Sequence, residues 1–313
     1  MHGRPRSTAR ERRLAELGVL VVMAAWAANF IVVKAANEQI PPVSFAFLRF
    51  AIAAGTLMIA LKWREGTIGL PRRDVIPILG LGAIGFGIYQ ILWSVALQDI
   101  PAGDSALLIA TTPVITALLA VRSGADTLTP AKLGGSLLSF AGVALIVASG
   151  AGLAFGAALI GDTLTLVAAV CWSVYTAFGA PILRRHSPLR TTTWAMVGGA
   201  IVLAAPGLAQ AIGVEWATVQ PDAWAGLAFS ALVPAGVANV VVFSAIRLLG
   251  PTRISAYQFL VPFIAVLLGA MFLSEAVRVE QLIGGVVIVL GVAITRSDRM
   301  TAFGGWLRER RPD

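Results

Sequence analysis

Long apolar segments dominate the sequence, and short polar connections separate them. An α-helix needs roughly 20 mainly apolar residues to cross the hydrocarbon core of a bilayer. The pattern predicts ten such segments, at residues 15–35, 43–62, 74–98, 102–121, 131–150, 158–182, 191–212, 223–246, 252–273 and 280–296. The connections between them are too short to hold a soluble domain. The chain is therefore predicted to be an all-α membrane protein with ten transmembrane helices.

Composition supports the same class of protein. Of the 313 residues, 58% are hydrophobic and 13% are charged, whereas about a quarter of a soluble domain is charged. The single cysteine, Cys171, lies in an apolar segment, which argues against a disulfide framework. The two histidines, His2 and His186, lie outside the apolar segments and far apart in the sequence. We therefore expect no metal site and no cofactor.

The basic N-terminal residues followed by an apolar run resemble a secretory signal. The apolar run at 17–33 is long for a signal core, and further segments follow it. We therefore predict that it is retained as the first helix.

The positions of the basic residues predict the orientation. With ten segments and a cytoplasmic N-terminus, only Lys34, Arg49 and Arg278 of the 24 lysines and arginines fall on the outer side. Both termini, including the tails 1–14 and 298–313, are then cytoplasmic. The net charge of +8 follows from this distribution, so we expect no nucleic-acid partner.

An internal repeat divides the apolar segments into two halves. A shift of 149 residues places Pro113 on Pro262 and Gly142 on Gly291, and a shift of 146 places Trp26 on Trp172. The halves are 15–150 and 151–297. Because each has five segments, an odd number, they enter the membrane in opposite directions. Inverted repeats occur in many secondary transporters, which bind substrate between the repeats. The alternative is a duplicated helical bundle without transport activity.

Several stretches resemble a known family. AIRLLGPTRISAYQFLVPFIAVLLGAMFLSE, WAANFIVVKAA and ALQDIPAGDSALLIATTPVITALLA are similar to EamA-type members of the drug/metabolite transporter superfamily. The resemblance covers both halves and is strongest for the bacterial amino acid exporters, including the aromatic amino acid type. It implies a ten-helix exporter of small metabolites in the inner membrane. It does not fix a substrate.

Polar and aromatic residues recur at helical spacing within several apolar segments. Such groups inside a membrane usually face a cavity or another helix. The residues that we predict to bind substrate are Asn29, Phe86, Tyr89, Gln90, Trp93, Thr112, Trp172, Tyr175, Thr176, Asn239, Phe243, Tyr257 and Gln258. The alternatives are packing for the aromatic stripes, interface anchoring for tryptophans near segment ends, and hydrogen bonds between helices for the asparagines.

Pro113 and Pro262 are predicted hinges. A proline in a helix removes one backbone hydrogen bond, and the freed carbonyls, near Ile109 and Gln258, need partners from neighbouring helices or from water in a cavity. A bend there would let each part of the helix tilt separately. The fifth and tenth segments instead carry paired glycines and almost no polar residue, which predicts a closely packed scaffold.

The charged residues predict how transport is driven. No acidic residue lies at the middle of a segment. Lys34 and Arg49 are expected near the outer membrane interface, where they anchor the topology or attract the carboxylate of a substrate. Proton-coupled transporters commonly use a buried carboxylate, so we expect a facilitative or weakly coupled mechanism and a neutral cavity that binds zwitterions.

The predicted function is export of amino acids or similar small metabolites across the inner membrane by alternating access. The alternatives are an exporter of drugs, nucleosides or sugar derivatives, and a membrane sensor or assembly module that does not transport. Phosphate-binding loops and metal-ligand clusters are absent from the sequence, so we do not expect an enzyme. The expected partners are a small-molecule substrate and the lipid bilayer. A monomer is one of the oligomeric states that the sequence allows.

Overall fold

Helices form every regular element in the part of the chain that the structure describes. The structure is a computed structural model, and it describes residues 9–122, 129–150, 156–249, 257, 258 and 260–309. The helices are α1 (Ala9–Ala36), α2 (Pro42–Glu65), α3 (Arg72–Gly82), α4 (Tyr89–Asp99), α5 (Ala102–Ile109), α6 (Thr112–Arg122), α7 (Pro130–Gly150), α8 (Ala157–Arg185), α9 (Pro188–Ala211), α10 (Pro221–Ser230), α11 (Ala238–Leu249), α12 (Leu260–Phe272) and α13 (Val279–Glu309). Two π-helical segments, π1 (Ala83–Ile88) and π2 (Ala231–Val237), join α3 to α4 and α10 to α11.

The helices have the length and polarity of membrane spans. Within the described residues, seven helical segments are long and apolar enough to cross a bilayer. Three shorter apolar helices, Leu133–Ala148, Leu260–Phe272 and Val279–Ile294, lie inside three further predicted segments. Large apolar side chains such as Ile76 and Leu137 point away from the bundle, as contact with lipid requires. The prediction of an all-α, multi-pass membrane protein is confirmed.

Local sequence explains several helix ends. Pro42, Pro188 and Pro221 stand at the first turns of α2, α9 and α10, where the missing proline N–H has no helical partner to lose. Helix α2 ends at Gly66, whose φ of 71° is left-handed and whose N–H donates to the Lys62 carbonyl over 3.0 Å. Glycine adopts this conformation without steric cost. These signals fix where the chain reverses between spans.

Helices α7 and α13, which we call the scaffold pair, pack against each other with almost no space between their backbones. A Cβ added to Gly142 would lie 2.6 Å from the Gly284 carbonyl oxygen, and one added to Gly291 would lie 2.5 Å from that of Gly135. Small residues permit this approach in lipid, where burial of apolar surface does not drive helix association. The scaffold pair is therefore held by close backbone contact.

The chain between Ala102 and Arg122 is a broken helix. Helix α5 ends at Ile109 and α6 begins at Thr112, so Pro113 lies in the first turn of the second part. The hydroxyl of Thr112 donates to the Ile109 carbonyl over 2.6 Å, and that of Thr111 donates to the Leu108 carbonyl over 2.7 Å. Side chains of the same segment thus satisfy the carbonyls that the break exposes, where sequence reasoning expected neighbouring helices or water.

Pro262 has an equivalent position. It is the third residue of α12, and the N–H of Val261 donates to the Gln258 carbonyl over 3.1 Å. A proline costs little in a first turn, because the N–H groups there lack helical partners anyway. Both prolines therefore start a helix.

Candidate functional site

A cavity of about 170 Å³ lies among helices from both ends of the sequence. Its lining comes from α1, α2, α4, α5, α6, α8, α11 and α12, and from both π segments. No residue of the scaffold pair is among the described residues that line it. The scaffold pair therefore lies apart from the described lining of the cavity.

The cavity gathers most of the predicted binding residues. Those that line it are Asn29, Phe86, Tyr89, Gln90, Trp93, Thr112, Trp172, Asn239 and Gln258. The predicted hinges Pro113 and Pro262 line it as well. The structure thus brings predicted residues from six predicted segments to one place, and their role in binding stays a prediction.

Three predicted residues have described side chains that lie elsewhere. Tyr175 is buried behind the cavity, with its ring 4.9 Å from that of Phe86. The hydroxyl of Thr176 contacts that of Thr116 at 3.3 Å and so joins α8 to α6. Tyr257 packs against a separate apolar cluster that contains Val19. The side chain of Phe243 lies outside the described part of the structure.

Aromatic rings form one wall of the cavity. The Trp172 ring lies 5.7 Å from Phe86 and 5.9 Å from Tyr89, measured between centroids. Tyr89 stacks on Trp93 at 6.2 Å with an interplanar angle of 12°, and Phe30 meets Trp93 edge-on at 5.1 Å. These separations suit favourable ring contacts. The rings support one another, so the wall is preformed.

A polar network includes two residues of the lining, Arg49 and Asn29. The Nη1 of Arg49 donates to the Ser230 hydroxyl over 3.2 Å, and that hydroxyl donates to Oδ1 of Asn29 over 2.5 Å. The network joins α1 and α2 to α10. It gives the cavity lining a charged, hydrogen-bonding part beside the aromatic rings, since the Arg49 guanidinium lies 5.8 Å from the Trp93 ring.

Arg49 lines the cavity, although sequence reasoning did not count it among the binding residues. It was expected near the outer membrane interface, but it is 4% exposed and its guanidinium lies 4.8 Å from the Phe50 ring and 5.8 Å from the Trp93 ring. The cavity is therefore not neutral. An arginine well inside the apolar run 43–62 was the available signal, because ionisable residues inside spans are usually functional.

The π segments were also missed. Asn239 follows π2, and its Nδ2 donates to the carbonyls of Ala235 at 2.9 Å and Pro234 at 3.3 Å. Trp26 donates from Nε1 to the same Pro234 carbonyl over 3.1 Å. These donors satisfy carbonyls that the proline and the wider helical turn leave free. Glycine and proline in AIGFGI and ALVPAGV hint at irregular backbone but do not specify a π register.

Charged residues join the two halves of the chain at one end of the bundle, the Lys34 end. Lys34 Nζ lies 2.8 Å from Glu275 Oε1 and donates to the Ile100 carbonyl over 2.7 Å. Glu275 also accepts from the Ala102 N–H at 2.9 Å. Ser274 before it has a left-handed φ of 53°, which turns the chain at the end of α12.

A second cluster lies at the same end. Asp104 is buried and pairs with Arg278, and it accepts from Nε2 of Gln281 over 2.8 Å. These contacts tie the start of α5 to the start of α13. The Lys34 end is therefore closed by contacts between residues far apart in sequence.

Another set of charges lies at the opposite end, the Asp74 end. The carboxylate of Asp74 lies 3.0 Å from Arg185 and 2.8 Å from Nε2 of His186. Glu65 pairs with Arg190 at 3.0 Å and accepts from the Ser187 hydroxyl over 2.5 Å. Ion pairs thus link the two halves at both ends. Among the described residues, no group of three or more His, Cys, Asp or Glu side chains has the arrangement to hold a metal ion.

Comparison with known proteins identifies a family. The model of the EamA-like transporter family matches the chain twice, at residues 13–148 and 159–297. An uncharacterized transporter of Archaeoglobus fulgidus is 29% identical over 276 residues, which cover 88% of this chain and 94% of that protein. A probable terminal-alkyne amino-acid exporter of Streptantibioticus cattleyicolor is 28% identical over 279 residues, which cover 88% of this chain and 91% of that protein. One solved crystal structure shares the fold, with a TM-score of 0.62 and 20% identity over 92% of this chain and 96% of that one.

Proposed function

Because the chain belongs to the EamA-like transporter family and is a multi-pass inner-membrane protein, we propose that it is a secondary transporter that exports amino acids or similar small metabolites by alternating access. The cavity carries this proposal. Both halves of the chain line it: α1, α2 and α4–α6 belong to the first half, and α8, α11 and α12 belong to the second. A site between two halves can open in turn to each side of the membrane.

The architecture that we propose is ten transmembrane helices in two inverted halves. The two matches of the family model support two related halves. Gln90 and Asn239 are 149 positions apart, both line the cavity, and each follows a π segment closely. The glycine contacts of the scaffold pair are reciprocal under the same shift of 149. Equivalent positions thus have equivalent surroundings.

Under the predicted orientation, with both termini cytoplasmic, the Lys34 end faces outward. The contacts of Lys34 with Glu275 and of Asp104 with Arg278 then form a closed outer gate. Both contacts join different halves of the chain, so they have to separate when the cavity opens outward. The ion pairs of Asp74 and Glu65 form the corresponding contacts on the cytoplasmic side.

Coupling to a proton gradient is weak or absent in this proposal. No Asp or Glu is among the described residues that line the cavity. A proton-coupled site of the usual kind would place a carboxylate there. The gradient of the exported compound is then sufficient to drive its movement.

The choice of amino acids as cargo rests on the mixed lining of the cavity and on the family. One wall is aromatic, from Trp172 to Tyr89, and the other has hydrogen-bonding groups such as Asn29. Ligand sites typically combine apolar walls with a few polar groups that orient the ligand. The name of the Streptantibioticus relative points to amino-acid export.

Uptake into proteoliposomes that hold the purified protein tests the proposal. We expect labelled amino acids to enter faster than into empty vesicles, with little change when a proton gradient is imposed. Absence of amino-acid uptake with uptake of drugs, nucleosides or sugar derivatives would replace the cargo. Absence of any uptake would favour a sensor or assembly module.

A further inference from the structure

Arg49 is a buried guanidinium without a carboxylate partner in the described part of the chain. It is 4% exposed, and its hydrogen bond goes to the neutral hydroxyl of Ser230 at 3.2 Å. Its Nε has no hydrogen-bond partner among the described residues. The side chain is among those that line the cavity.

Three other cationic side chains of the structure do have carboxylate partners. Lys34 pairs with Glu275, Arg278 pairs with Asp104, and the Arg190 guanidinium pairs with Glu65. A charge removed from water is strongly disfavoured unless an opposite charge and hydrogen bonds compensate it. The fold supplies a carboxylate for these three cations and omits one for Arg49. The missing anion is therefore expected to come from outside the protein.

The rings near Arg49 compensate only part of this cost. Phe50 and Trp93 lie 4.8 Å and 5.8 Å from the guanidinium carbon, and a cation over an aromatic face is stabilised. Such contacts leave the in-plane N–H donors of arginine available. Those donors have the fork geometry that matches the two oxygens of a carboxylate.

Gln90 supplies a complementary acceptor in the same cavity. It is 4% exposed, and its Oε1 has no hydrogen-bond partner within the described ranges. A buried, unpaired acceptor is costly, as is a buried, unpaired donor. One ligand that carries a carboxylate and an N–H donor would satisfy both residues.

We propose that Arg49 binds the carboxylate of the transported compound and that Gln90 accepts a hydrogen bond from its amino group. This inference rests on the proposed function and narrows the transported compounds to those that carry a carboxylate. Amines that lack a carboxylate are excluded. A phosphate ester fits less well, because Arg49 is the single cation among the described lining residues and phosphate carries about −1.5 to −2 charges at neutral pH.

The first test is ligand-induced thermal stabilisation of the purified protein in detergent. The three probes are L-phenylalanine, phenylacetate and 2-phenylethylamine, which carry both groups, the carboxylate alone and the amine alone. The aromatic wall of the cavity accommodates their common ring. We expect the first two to raise the Tm of the wild type and the third to leave it unchanged. Equal stabilisation by the amine, or none by either carboxylate, would overturn the assignment.

Variants then locate the effect. Arg49→Gln should weaken binding of L-phenylalanine by at least about 30-fold, whereas Arg49→Lys should recover part of the loss. Gln90→Leu should weaken the binding of L-phenylalanine but leave the binding of phenylacetate unchanged. The control is Arg64→Gln, which removes the same charge from an exposed position of α2 and should bind like the wild type. Unchanged binding by Arg49→Gln would overturn the proposal.

Stability without ligand separates binding from a structural role. Because its charge is unpaired, Arg49→Met should keep or raise the Tm of the empty protein. A clearly lower Tm, together with an undiminished response of Arg49→Gln to L-phenylalanine, would show that Arg49 serves the fold.

Transport distinguishes this inference from the function on which it rests. Amino-acid uptake that is equal in the wild type and Arg49→Gln would reject the carboxylate site and leave the exporter standing. Arg49-dependent stabilisation by phenylacetate without any amino-acid uptake would retain the site and reject the exporter.

Discussion

The scaffold pair and the aromatic wall of the cavity both consist of apolar helices, but the helices touch in the first and are held apart in the second. In the scaffold pair, glycines such as Gly142 and Gly284 bring two backbones into contact. In the cavity wall, large rings such as Trp172 and Tyr89 hold the helices apart around open space. Small side chains thus accompany close contact in the first region, and large ones surround the cavity in the second.

The two regions also differ in how they treat backbone polar groups. The α7 and α13 helices are regular, whereas the helices around the cavity are interrupted at Ala110–Thr111 and by π1 and π2. Irregular backbone is tolerated in a membrane where other groups or a cavity satisfy it. The interruptions therefore belong with the part of the molecule that we expect to move.

The largest effect is expected from Gly142→Ala in the scaffold pair. The new Cβ would meet the Gly284 carbonyl oxygen at 2.6 Å and the Ile288 backbone nitrogen at 3.0 Å, and neither is a flexible side-chain end. Overpacking of this kind destabilises by about 1–3 kcal/mol. We expect a Tm several degrees lower in detergent, while folded protein binds ligand normally.

Gly134→Ala on the same helix is the matched control, because a Cβ there meets nothing within 4 Å. Its Tm should equal or exceed that of the wild type. If both variants unfold at the wild-type temperature, close backbone contact does not hold the scaffold pair.

The next largest effect is expected in the cavity wall from Trp172→Ala. The ring contacts Phe86 and Tyr89, and loss of its face should slow amino-acid uptake about tenfold, or 1.4 kcal/mol. Trp224→Ala is the control, since that ring packs on Trp216 and does not line the cavity. Equal uptake by the two variants would remove Trp172 from the site.

Sequence periodicity was sufficient to predict much of this contrast. Paired glycines predicted the scaffold helices, and polar stripes predicted Asn29, Tyr89 and Gln90 as cavity residues. Both predictions follow from a regular helical repeat, which relates sequence spacing directly to a helix face.

Periodicity does not show how far neighbouring helices cover a side chain. Tyr175, taken from a stripe on the uninterrupted helix α8, is buried behind Phe86, whereas Tyr89 and Gln90, which follow π1, line the cavity. Arg49 was misplaced for a different reason. It was interpreted as an interface anchor, and only the packed structure shows the rings and Ser230 around it.

A smaller effect is expected from Pro113→Ala and Pro262→Ala. Each change restores an N–H that can bond to a carbonyl of the preceding turn and extend the following helix, so we expect that helix to tilt less freely. We expect exchange of labelled amino acids across the proteoliposome membrane to be roughly threefold slower, which corresponds to about 0.7 kcal/mol of activation free energy. Pro206→Ala, inside α9 and away from the cavity, is the control. Unchanged exchange in both hinge variants would reject the hinge role.

The smallest effect is expected from Ser139→Ala, which returns to the scaffold pair. The Ser139 hydroxyl donates to the Ile288 carbonyl over 3.1 Å and thereby joins α7 to α13. Hydrogen bonds between membrane helices contribute on average about 0.6 kcal/mol, and this acceptor remains within a helix when the serine is removed. We expect a Tm within a degree or two of the wild type, well above that of Gly142→Ala. A loss as large as that of the glycine variant would mean that polar contact, and not backbone proximity, holds this pair together.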